Sequence, residues 1–189
     1  MKNNGRLILF ALILVVLATA CKYFFGPDLD WSGFSPVIAI ALFSGFIIKQ
    51  RDMSFLLPLV ALFISDAVIQ FLYVQDLFPY AGFYNHQLKN YLILFVATLI
   101  GWALKGRSYS SLLIGAIAAP TVFFLISNFS VWVTSTEVAY SKDLTGLMTS
   151  YAAGLPFYKN ALMGTLIFLP CILLLYNYLT RKKAVLTVA

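Results

Sequence analysis

Charge is what this chain has least of. Only 11% of its residues are Asp, Glu, Lys or Arg, against 61% hydrophobic, whereas a soluble domain carries roughly 25% charged residues. That excludes an ordinary water-soluble domain. Histidine occurs once and cysteine twice, as Cys21 and Cys171 in separate apolar segments, so neither a metal-ligand spacing nor a disulfide framework can be drawn. There is no HExxH, GxSxG, CxxC or phosphate-cradling glycine loop. No catalytic residue is therefore assigned and no cofactor is required, and any ATP-driven step belongs to a partner. The formal charge of +6 sits in short clusters at the ends of apolar runs. That is the pattern of membrane topology signals, not of a nucleic-acid surface.

What is present is a series of apolar runs: Leu7–Phe25, Phe34–Ile48, Ser54–Val74, Lys89–Leu104, Ser111–Thr134 and Phe157–Leu179. A hydrocarbon core of about 30 Å needs about 20 helical residues; the second and fourth runs are short. The expectation is an all-α bundle of six transmembrane helices forming one domain over 1–189. With the amino terminus in the cytoplasm, Lys2, Arg6, Lys49, Arg51, Lys105, Arg107, Arg181, Lys182 and Lys183 fall inside. Only Lys22, Lys89, Lys142 and Lys159 then fall outside. The positive-inside rule thus favours both termini in the cytoplasm. A cleaved signal ending near Ala18-Thr19-Ala20-Cys21 is the competing reading of the first run; an uncleaved helix is preferred. Pro36 suits a first helical turn, while Pro58, Pro120 and Pro170 are expected to bend their helices.

Asp66 stands out. It lies in an otherwise almost uncharged run, about 12 Å from the outer end at 1.5 Å per residue. A carboxylate there costs about 2.5–3.5 kcal/mol on insertion scales, and such residues face a bundle interior or a wet cavity. Asn128 on the fifth run and Asn160 on the sixth share its leaflet, and Asn128 is its expected neighbour. The expected site is an outward pocket with Asp66 and Asn128 at the floor, Asn160 nearer the rim, and walls from Tyr80, Tyr84, Trp132, Tyr151 and Phe157. The outer connections, rich in aromatics, Gly and Pro, are suited to roof it. Trp31, Tyr140 and Tyr178 belong to the interfacial aromatic belt. Interhelical Asp and Asn also serve as plain structural contacts. His86 is no metal site by spacing; at most it is one axial ligand to a metal already held in a cofactor. Ser65, Asp66 and His86 as a nucleophile set rest on proximity alone.

Several stretches carry a resemblance: Phe34-Ser35-Pro36-Val37-Ile38-Ala39, Leu62-Phe63-Ile64-Ser65-Asp66, Phe124 through Trp132, and Gly146-Leu147 with Tyr151 through Asn160. Together they resemble a family of small bacterial inner-membrane proteins. That family is similar to the substrate-binding S components of energy-coupling factor transporters and to the solitary cobalamin transporter of some Gram-negative bacteria. The resemblance implies six helices with both termini inside and a vitamin or metal ion bound in an outward pocket, cobalamin being one candidate. It also implies an energising membrane partner with an ATPase. Two departures stand: Val15 and Val16 interrupt the small-residue spacing by which many S components dock, and neither cysteine matches a cobalt-ligating position, which leaves His86 as the candidate axial ligand to a corrinoid cobalt. The alternatives are a membrane assembly or interaction protein without a small-molecule ligand, and an enzyme acting on lipid.

Overall fold

The structure is a computed structural model that describes residues 2–48, 50–85, 87–105 and 108–180, with the side chains of 2–4 and 109 excepted. Lys49, His86, Arg107, Arg181, Lys182 and Lys183, and the side chain of Lys2, lie outside the described residues. Among the described residues the chain is all-helical, with α1 (Lys2–Phe25), α2 (Val37–Ile47), α3 (Arg51–Val74), α4 (Gln87–Ala103), α5 (Tyr109–Thr134) and α6 (Leu144–Thr180). Four helices are long and apolar enough to cross a membrane: Gly5–Phe25, Arg51–Val74, Ser110–Thr134 and Leu144–Thr180. α2 and α4 are shorter apolar helices. The long helices expose large apolar side chains, among them Ile8, Val16, Phe63, Phe71, Ile114 and Leu174. Exposed apolar side chains in such number suit a lipid-facing surface better than a water-facing one.

α2 is the axis of the fold. Each residue from Val37 to Phe46 is buried, and α3, α4, α5 and α6 all pack on it. A helix that is apolar all round belongs in an interior. Its partner α4 comes so close that backbones touch. A Cβ on Gly45 would overlap the Thr98 carbonyl, and one on Gly101 would overlap the Leu42 carbonyl. Small residues permit this approach, and van der Waals contact is what holds helices together where lipid competes equally for apolar surface. Below that seam Phe43 packs between Phe10 of α1 at 5.4 Å and Tyr176 of α6 at 5.3 Å. Leu14, Ala18, Leu42 and Ile172 complete this core.

The short connections meet at one end, where Lys105 Nζ donates to the Ile48 carbonyl at 2.6 Å and the Arg51 guanidinium lies over the Trp102 ring. The three longer connections lie at the other end. The α3–α4 connection leaves its helix through a left-handed residue, Asp76, at φ 57°. The Leu77 N–H donates to the Leu72 carbonyl and the Asp76 N–H to that of Tyr73, which together satisfy the terminal carbonyls of α3.

One boundary departs from expectation. Residues 144–156, read as an outer loop, are the first turns of α6. Asp143 starts the helix by accepting from the Gly146 N–H at 2.8 Å, as an N-cap does. Gly146, Gly154 and Pro156 resembled turn punctuation. The two glycines instead mark close approaches, to Ser141 and Asn128 respectively, and Pro156 sits within the helix. α6 therefore runs 37 residues, about 55 Å at 1.5 Å per residue.

Candidate functional site

At the long-connection end the bundle forms a partly open cavity of about 570 Å³. Its walls come from the last turns of α1, the first connection, the middle of α3, the first turns of α4, and one face each of α5 and α6. On α5 that face carries Pro120, Phe123, Phe124, Ser127, Asn128 and Val131; on α6 it carries Gly154, Phe157, Tyr158 and Ala161. Both sets recur at helical spacing, so a single stripe of each helix faces inward.

Asp66 lies in the wall, only 3% exposed. Its Oδ1 is paired with the Lys22 ammonium. Its Oδ2 accepts from Gln87 Nε2 and from the Tyr91 hydroxyl. Gln87 also donates to the Gly82 carbonyl at 3.2 Å. One carboxylate thus ties α1, α3 and α4 together. Such satisfaction is what a carboxylate in a low-dielectric interior requires. The α3–α4 connection folds back onto α3 to complete the arrangement. The Phe83 N–H donates to Gln70 Oε1 at 3.1 Å, and Gly82 sits so close to the Asp66 and Gln70 backbone that a Cβ there would collide. Tyr80 closes the α1 side, its hydroxyl donating to the Lys22 carbonyl at 3.3 Å. Burial pushes the Tyr80 pKa above its ordinary value, so it is a neutral donor at physiological pH.

Five residues expected at the site line this cavity: Asp66, Tyr80, Tyr84, Asn128 and Phe157. Asn128 is not bonded to Asp66, however. Its amide donates to the Phe124 carbonyl at 2.9 Å, one turn back on its own helix, and Lys22, Gln87 and Tyr91 take the place expected for it. The other three residues point elsewhere. The Trp132 indole donates to the Ser141 carbonyl at 2.9 Å; one residue beyond Val131, it is rotated about 100° off the cavity stripe. The Tyr151 hydroxyl donates to the Leu125 carbonyl at 3.2 Å, beyond the cavity on the extended start of α6. Asn160 is 4% exposed and donates to the Asp30 and Ser32 carbonyls at 2.8 and 2.9 Å. It anchors the first connection to α6. Gly33 of that connection, at φ 91°, packs on the Phe157 backbone. His86 lies outside the described residues, and among these no three metal-ligating side chains converge.

Sequence reasoning missed Lys22, Gln87 and Tyr91. Lys22 was read as a flanking charge, and nothing local links it to Asp66. Gln87 and Tyr91 had a signal, since two hydrogen-bonding side chains four residues apart share a helix face.

A second groove of about 380 Å³ runs between the start of α4 and the end of α5. It shares Tyr84, Asn90, Ser127 and Val131 with the main cavity and adds Lys89, Ser130, Thr134 and Ser135. Where the two meet, Asn90 Nδ2 donates to the Tyr84 hydroxyl at 2.8 Å. This is a polar seam leading outward from the cavity.

Residues 1–186 match a family of unknown function (DUF6580), and the chain belongs to that family. No curated protein and no solved structure matches it.

Proposed function

We propose that this member of a family of unknown function binds a small molecule in the cavity at its long-connection end. On this reading it acts as a membrane transporter or as a substrate-binding subunit of S-component type. The observation that carries the reading is the cavity itself. About 570 Å³ of space lies beside a buried, fully bonded carboxylate, within the roughly 300–1,000 Å³ usual for ligand pockets. A protein serving only assembly would be expected to fill such space with side chains.

In this proposal all six helices are embedded in a bacterial inner membrane, both termini are cytoplasmic, and the cavity faces outward. Arg6, Arg51 and Lys105 sit toward the short-connection end, whereas Asp28, Asp30, Asp76, Glu137 and Asp143 lie in or beside the longer connections. By sequence, 9 of the 13 basic residues fall in the segments on the short-connection side and Lys22, Lys89, Lys142 and Lys159 on the other, the bias that the positive-inside rule assigns to the cytoplasm. The ligand is of vitamin or precursor size; a corrinoid with its nucleotide tail would protrude well beyond the cavity. Delivery inward requires helix rearrangement, driven by an energising partner with an ATPase or by a downhill gradient. The protein needs no cofactor and performs no covalent chemistry.

The lipid-enzyme reading gains one observation, because Lys22 and Tyr91 are titratable groups bonded to Asp66. Yet both carboxylate oxygens already accept bonds, which suits an anchor better than a base.

The test is mass spectrometry of small molecules retained by the purified full-length protein, beside Ala161→Phe, which fills the cavity from α6. Retention by the wild type and loss in the folded variant support the proposal. A wild type that retains nothing, and takes up nothing from a cell extract, sinks it.

A further inference from the structure

We propose that the cavity selects a ligand of no net charge with a flat aromatic or heteroaromatic body. The inference rests on the reading of the cavity as a ligand site and adds the chemical class.

The charges on the cavity wall carry it. Among the described residues lining the cavity, the Asp, Glu, Lys or Arg side chains are Lys22 and Asp66, and they are committed to each other. Gln87 and Tyr91 occupy the second carboxylate oxygen. A ligand bearing a net charge would bring it into a low-dielectric space with no counter-charge left to meet it, and unmatched buried charge is strongly disfavoured. The other polar side chains on the wall, among them Ser127, Asn128, Asn90, Tyr84 and Tyr158, are uncharged hydrogen-bonding groups, suited to an amide, a ring nitrogen or a hydroxyl.

The apolar walls specify the body. Phe25 packs on Trp31 at 5.6 Å and on Phe34 at 5.1 Å. On α5 and α6, Phe124 lies 4.9 Å from Tyr158 at an interplanar angle of 32°. All of these rings line the cavity. Ring faces and edges offered from both groups favour a planar guest.

The decisive experiment uses three compounds sharing one ring: nicotinamide, nicotinate and 3-picolylamine, which are neutral, anionic and cationic in side group. Equilibrium dialysis against the full-length protein in detergent measures each. The wild type is expected to bind nicotinamide on the order of tenfold more tightly than either charged relative. Asp66→Asn frees the Lys22 charge and should shift preference to nicotinate. Lys22→Gln frees the Asp66 charge and should shift it to 3-picolylamine. The double variant, again balanced and protected from an unpaired charge if a single variant fails to fold, should return to nicotinamide.

A wild type preferring either charged compound overturns the inference, as does an order unchanged in the variants, while the ligand-site reading stands. If none of the three binds but a molecule co-purifies, its net charge decides: a charged molecule overturns the inference. If nothing binds and nothing co-purifies, the ligand-site reading falls and the inference falls with it.

Discussion

Lys22 and Asp66 form an ion pair between the end of α1 and the middle of α3, with the carboxylate side chain 4% exposed and the lysine side chain 23%. Removing one partner strands the other. Asp66→Ala is expected to destabilise the protein by about 3 kcal/mol, the lower part of the range for a broken buried pair because Lys22 keeps some contact with solvent. Lys22→Met with Asp66→Leu should recover part of that loss, because the stranded charge is gone while Gln87 and Tyr91 still lose their acceptor. Thermal unfolding in detergent checks both; a single variant as stable as the double would contradict the pairing.

Gly154 faces Asn128 across the α5–α6 contact, where a Cβ would overlap the Asn128 amide. Gly154→Ala should cost about 1–3 kcal/mol by overpacking. Asn128→Ala should cancel much of it, giving a coupling of about 1 kcal/mol in a double-mutant cycle. Additive effects would show that the two side chains do not share this space.

Asp76 holds the left-handed position after α3 at φ 57°, where glycine is the residue without a steric penalty. Asp76→Gly is expected to raise stability by about 1 kcal/mol, and Asp76→Val to lower it. A glycine variant less stable than the wild type in denaturant titration would argue against this geometry.

Asp143 caps α6, and the Gly146 N–H and Ser141 hydroxyl hold its carboxyl pKa below the ordinary value. A depressed carboxylate contributes stability above its unfolded pKa of about 4 and loses it as pH falls through the lower folded value. Asp143→Asn should therefore lower the neutral plateau slightly and flatten the acid limb, the two proteins converging in stability at low pH. Hydrogen exchange at the amides of 145–149 in Asp143→Ala should quicken; unchanged exchange would rule out the capping role.

Cys21 lines the cavity, whereas Cys171 is exposed on α6. If the polar seam between α4 and α5 is the route inward, Ser130→Trp should slow maleimide labelling of Cys21 several-fold in a Cys171→Ser background. A matching Trp at exposed Leu88 should leave the rate unchanged. Equal rates for both would place the route elsewhere.

The helices were largely legible because apolar length is written locally. The ends of α1, α3 and α5 at Phe25, Val74 and Thr134 coincide with the limits of their hydrophobic runs. Asp66 was legible as an inward-facing group because a lone carboxylate has few other places to go. Its partner was not: Lys22 and Asp66 are far apart in sequence, and their meeting is fixed by how α1 packs on α3. Trp132 and Asn160 failed for a narrower reason. Depth along a helix can be counted from the sequence, but rotation about its axis depends on the neighbours, and a single residue turns a side chain out of the cavity. The start of α6 was hidden because Gly146, Gly154 and Pro156 carry the same letters in a tight helical contact as in a turn.

Gly45 and Gly101 bring α2 and α4 into backbone contact, and this contact has a mechanical consequence. A joint with no side chains between its faces has no compliance: sliding opens a void and separation exposes bare peptide. The two helices must therefore move as one stiff post. Any change of shape that fills or empties the neighbouring cavity falls to the members hung around that post, with α1 latched to α3 by the Lys22–Asp66 pair and α1 and α6 resting on Phe43 through Phe10 and Tyr176.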